Sequence, residues 1–149
     1  MALNWKLVID CADPHAQSAF WAQALGYEVE DNSALIEQLL SSGRVPEELT
    51  TTFEGRLAFR DLCAVRHPDD PVDPVSGTGL GRRLLFQAVP EKKQVKNRLH
   101  LDLHTAPGHR DAEVGRLTAL GATTLAVVKE PGTDHVTMAD PEGNEFDVQ

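Results

Sequence analysis

The sequence is short of cysteine, of aromatic residues, of positive charge and of long apolar runs. Each shortage excludes something. Cys11 and Cys63 are its 2 cysteines. They fit no CxxC motif, so thiols in a reducing cytoplasm are expected rather than a disulfide. Lys and Arg total 14 against 23 Asp and Glu, a net charge of −9. That balance denies the chain the basic surface that nucleic acid or an anionic membrane needs. No apolar run approaches the span of a bilayer. Residues 1–6 lack a basic stretch followed by an apolar one, so no signal peptide is expected. A cytoplasmic protein is the expectation. No Gly-x-Ser-x-Gly elbow occurs, and Gly77-Thr-Gly-Leu-Gly81 lacks the Gly-Lys-Ser/Thr ending of a phosphate loop.

What is present is an ordinary globular composition over 149 residues, 41% of them apolar, long enough for one domain with a substantial core. Residues 5–10 are a β-branched run that reads as a strand, with Trp5, Leu7 and Ile9 on one face. Asp13-Pro14 then starts a helix that Gly26 stops. Of the adjacent Phe20 and Trp21, one is assigned to the core, with Phe20 the better choice, and the other to a cavity mouth or a dimer contact. Residues 27–30 read as a short strand, and residues 32–40 have helical spacing. Residues 56–66 read as one strand with a bend, residues 68–81 as a mobile surface loop, and residues 83–89 as a strand. Residues 97–104 alternate strictly: Leu99, Leu101 and Leu103 face one way, and Arg98, His100, Asp102 and His104 the other. A second helix runs from residue 107 to Leu120 and stops at Gly121. Residues 123–128 are strand-like. The tail from His135 reads as strand, turn and strand, Asp140-Pro141-Glu142-Gly143 having the preferences of a type I turn. In its last strand Phe146 and Val148 alternate with Glu145, Asp147 and Gln149.

The order strand, helix, strand, strand, strand therefore occurs twice, each helix ending Ala-Leu-Gly. The fold class expected is α+β: two tandem βαβββ modules, about residues 1–90 and 96–149. They form a cupped, mostly antiparallel mixed sheet around a cleft, within a single domain of residues 1–149.

Several stretches resemble the vicinal oxygen chelate superfamily, which includes glyoxalase I, extradiol dioxygenases and bleomycin- and fosfomycin-resistance proteins. They are Asp10-Cys-Ala-Asp-Pro14, Phe20-Trp21 with Ala24-Leu25-Gly26-Tyr27, Leu85-Phe-Gln-Ala-Val-Pro90, residues 95–103 and Ala139-Asp-Pro-Glu-Gly-Asn-Glu-Phe146. The likeness is closest to its glyoxalase-like subgroup and covers nearly the whole chain. It implies the paired-module fold, a small-molecule ligand and a homodimer. It also implies a divalent metal bound by the first and last strand of each module. Those places fall on Lys6 and His100, and on or near Gln87 and on Asp147. Gln87, His100 and Asp147 carry ligand atoms. Lys6 does not, because an ammonium has no lone pair and repels a cation; it instead offers an ion pair to Asp147. Lys6, Gln87, Arg98, His100, Asp102 and Asp147 are the expected ligand-binding residues, and Asp102 or Glu145 the expected general base. Lys6 in a usual ligand place weighs against a bound metal, and two functions follow: a glyoxalase-like lyase or isomerase that works without metal or binds it weakly, or a non-catalytic protein that sequesters a small drug-like compound. The fold itself does not choose between them.

Overall fold

A computed structural model describes all 149 residues. The chain divides into two compact units, Met1–Glu91 and Lys92–Gln149, and the sequence repeat is a repeat of topology.

In the first unit, β1 (Leu7–Cys11) leads into α1 (Pro14–Leu25), β2 (Glu28–Val29), β5 (Leu62–Arg66) and β6 (Arg83–Ala88), with α2 (Ser33–Ser41), β3 (Thr50–Phe53) and β4 (Arg56–Phe59) inserted after β2. The sheet order is β1-β6-β5-β2. β1 runs parallel to β6, and the other pairings are antiparallel. In the second unit, β7 (Asp102–Leu103), α3 (Arg110–Leu120), β8 (Thr123–Glu130), β9 (Thr133–Ala139) and β10 (Glu145–Val148) repeat the plan. The order is β7-β10-β9-β8, again with first strand parallel to last. This is the expected α+β class.

The helix signals act as their chemistry dictates. The Asp13 carboxylate accepts the His15 and Ala16 amides, each at 3.0 Å, and Gly26 closes α1 in the left-handed region at φ 67°. The helix buries Phe20 and Trp21 together, so Trp21 is a core residue. Phe86 and Phe146, buried on equivalent last strands, anchor the two cores. Each full burial of this kind contributes about 1.5–3 kcal/mol. Cys11 and Cys63 are buried and form no disulfide.

Three strand expectations are corrected. Trp5 lies ahead of β1 and is 86% exposed, so it shares no face with Leu7. Residues 56–66 are two strands in separate sheets, β4 pairing with β3 and β5 with β6. Residues 97–104 hold only the short β7, and Leu99 is 76% exposed. Alternation there is a side-chain pattern without a partner strand, and a strand needs a ladder to exist. The 68–81 loop is fastened rather than loose. Asp70 takes the Arg82 amide at 2.6 Å and its guanidinium at 2.8 and 3.0 Å. The buried Glu30 holds the Gly79 amide and both arms of Arg83, all at 2.8 Å.

Candidate functional site

The last hairpin turns on Asp140. Its buried carboxylate accepts the Glu142 and Asn144 amides, each at 2.9 Å. Gly143 takes φ 87°, and its amide closes the turn onto the Asp140 carbonyl at 2.9 Å. That turn sets the register of β9 against β10. Val136 and Met138 on one strand, and Phe146 and Val148 on the other, are buried. Thr137 and Asp147 stand directly opposite each other on the reverse face. On the far side of β10, Asp147 pairs in parallel with Asp102. Thr137, Asp147 and Asp102 therefore form a polar row straight across three strands.

Two imidazoles meet this row. His100 Nε2 lies 3.3 Å from Asp102 Oδ1 and 3.5 Å from Asp147 Oδ2. The rise along a strand separates i and i+2 backbones by about 6.6 Å, so the side chains lean together. His135 Nε2 lies 3.6 Å from the same Asp147 oxygen. The Asp147 Oδ1 atom accepts the Thr137 hydroxyl at 2.7 Å, Asp102 Oδ2 accepts the Gln149 amide at 2.9 Å, and His135 Nδ1 meets the Thr133 hydroxyl at 2.9 Å. Asp147 and His135 are mostly enclosed, with side chains 15% and 17% exposed, whereas His100 and Asp102 are open at 41% and 40%. The site has a fixed inner carboxylate and an accessible outer pair.

Of the residues the sequence points to, His100, Asp102 and Asp147 come together. Glu145 sits on the same strand but is engaged elsewhere, by Lys93 Nζ at 3.0 Å and the Asn97 amide at 2.9 Å. Burial pushes its carboxyl up, and those donors outweigh it and hold it below the usual glutamate range. A carboxylate so occupied is a poor proton acceptor. Arg98 is exposed ahead of β7, and His104 is exposed just after it. Lys6 and Gln87 belong to the first unit, Lys6 exposed one residue before β1 and Gln87 exposed on β6. His135 and Thr137 were missed. Their signal was the alternation His135-Val136-Thr137-Met138, visible only once β9 and β10 are read as one face.

The parallel registers limit how far the repeat carries ligand positions. Val8 pairs with Leu85 and Asp10 with Gln87, as Asp102 pairs with Asp147. If Lys6 is the counterpart of His100, then Leu85 takes the place of Asp147. If Gln87 is the counterpart of Asp147, then Val8 takes the place of His100. On either alignment, one of the two places in the first unit holds an aliphatic side chain.

The second unit alone offers a donor set. The ligand atoms of His100, Asp102 and Asp147 all lie within 4.8 Å of one another. Donors at 2.0–2.2 Å around one ion stand about 3.4 Å apart in a tetrahedron, and His100 stands at 3.3 and 3.5 Å from the two carboxylates. One imidazole and two carboxylates suit a first-row divalent ion.

Comparison with curated protein sequences found no match. Among solved structures the chain is similar to a glyoxalase/bleomycin resistance protein/dioxygenase family enzyme from Burkholderia phytofirmans PsJN. The two share 18% identity and a TM-score of 0.58, over 96% of this chain and 94% of that one. It is also similar to the fosfomycin resistance protein FosX from Mesorhizobium loti, at 11% identity and TM-score 0.61, over 100% and 91%. A mutant FosX from Listeria monocytogenes, complexed with Mn(II) and 1S,2S-dihydroxypropylphosphonic acid, matches at 10% identity and TM-score 0.57, over 100% and 90%. At such identities these likenesses speak for the fold. No helix is long and apolar enough to cross a membrane. A sequence model of the glyoxalase-like domain matches residues 6–149, and the chain belongs to that family.

Proposed function

We propose that this protein is a glyoxalase-like enzyme of lyase or isomerase type that acts on a small oxygenated molecule at the site around Asp147. The observation that carries the reading is the convergence of His100 on carboxylate oxygens from two neighbouring strands, at 3.3 and 3.5 Å. In this reading His100, Asp102 and Asp147 hold a divalent cation. When bound, such an ion serves as a Lewis acid that polarises substrate oxygens. The half-exposed His100 and Asp102 face the incoming molecule, and Gln149 orients Asp102 for that contact. A metal bound by Lewis-type donors from one unit also accommodates the aliphatic side chains that the registers leave in the first. The family resemblance further leads us to take the protein as a cytoplasmic homodimer.

A second reading has its own support. Lys6, Val8 and Leu85 are unsuited to ligation, which favours a metal-free protein that sequesters a small drug-like compound.

Metal analysis of protein purified without chelator separates the two. The expected result is about one divalent ion per chain, as a single three-donor site requires, and its loss in His100→Ala. No metal, together with no thermal shift on adding manganese, nickel, zinc or iron, removes the metal-dependent reading and leaves a metal-free enzyme or the sequestering protein.

A further inference from the structure

Strand β9 contributes nothing to the three-donor set, yet it sets His135 and Thr137 against Asp147, with Thr133 two residues further along, against His135. Their order is not arbitrary chemistry. Thr137 lies directly opposite Asp147 in the antiparallel register, and its hydroxyl donates to Oδ1 at 2.7 Å. His135 approaches the other oxygen, Oδ2, at 3.6 Å, a polar contact that a small side-chain movement converts into a hydrogen bond. Thr133 in turn seats the imbedded ring through Nδ1 at 2.9 Å. His135 is enclosed, at 17% exposure, so its ring has little freedom to leave.

We infer that His135 and Thr137 are positioning residues that fix the Asp147 carboxylate for its ligand. The inference rests on the proposed cation site, and adds to it the strand that decides how Asp147 points. With Thr137 donating to Oδ1, Oδ2 is the oxygen turned to both His100 and His135. His135 lies against Asp147 from the β9 side, away from Asp102. Partners of this kind, which orient a metal-binding carboxylate without touching the ion, change affinity by about 10–100-fold when removed.

The test is isothermal titration of the full-length protein with Mn²⁺ and with Ni²⁺. His135→Leu and Thr137→Val are expected to weaken binding by about 10–100-fold with stoichiometry unchanged. His135→Gln, whose amide can donate from the place of Nε2, and Thr137→Ser, which keeps the hydroxyl, are expected to hold affinity near that of the natural protein. Circular dichroism and melting temperature, compared across all four, separate loss of binding from loss of folding. If the natural protein takes up neither metal, the proposed cation site fails and this inference with it. If it binds metal and His135→Leu binds as tightly, the inference alone is overturned. Equal damage from His135→Gln and His135→Leu also overturns it, because a residue that ligates or merely packs would not be rescued by a donor.

Discussion

Glu145 and Asp147 are two residues apart on one strand face, and their surroundings separate their roles. Asp147 is flanked by imidazoles that leave room between donor and acceptor, whereas Glu145 is bonded to Lys93 and to the Asn97 amide. The lowered Glu145 pKa makes this testable. A carboxyl depressed in the folded state contributes stability that is present above its unfolded pKa, about 4.3. That stability is lost as pH falls through the folded value. Glu145→Gln is therefore expected to be less stable than the natural protein at pH 7, with the gap closing below about pH 4. Urea unfolding at several pH values measures it. A gap that stays constant with pH would mean that the carboxylate's charge is not what matters. Alternation placed His100, Asp102 and Asp147 on polar strand faces, and the family resemblance marked His100 and Asp147 as ligand places. The division into a candidate site and a brace for the 93–97 segment was not legible in the sequence, because it depends on which donors fold back onto β10.

At the scale of elements, the loops do more than the alternation pattern implies. The 68–81 loop has the composition of a mobile segment, yet it closes over the buried Glu30, which joins β2 to β6 by way of Arg83 and to the loop through Gly79. Gly77 packs so close that a Cβ there would meet the Asp31 carbonyl oxygen at 2.0 Å. Removing one partner of a buried ion pair leaves the other charge uncompensated and costs about 3–5 kcal/mol. Glu30→Ala is expected to lose stability of that order, read as a lower urea midpoint at unchanged slope. A loss below about 1 kcal/mol would show that water reaches Arg83 and that the pair is a surface one in effect. The same scale explains the strand corrections. Residues 56–66 are broken at Arg60, whose guanidinium turns back to the Glu48 and Thr50 carbonyls at 2.7 and 2.8 Å. A local pattern of apolar residues does not reveal which neighbour will claim the backbone.

For the molecule as a whole, the repeat is the organising fact. Both units order their strands first, last, third, second, with first parallel to last. The chemistry is not repeated with the topology, and the second unit carries the whole clustered donor set. The proposed homodimer is a property at this scale. Sedimentation velocity is expected to give a single species at twice the 16.3 kDa chain mass. A lone 16.3 kDa species at all concentrations tested would remove the dimer from the proposal while leaving the site untouched.

The sequence by itself determined the α+β class, the doubled βαβββ order, the helix caps at Asp13 and Gly26, and the polar face that includes Asp147. All of these rest on local chemistry or on periodicity, which a linear chain displays. Only the tertiary structure decided that His135 and Thr137 join that face, that Glu145 is bonded to Lys93 and the Asn97 amide, and that β7 is short. It also decided that equivalent positions in the first unit cannot both be ligands. These outcomes depend on strand register, and register is set by pairing between segments far apart in the chain.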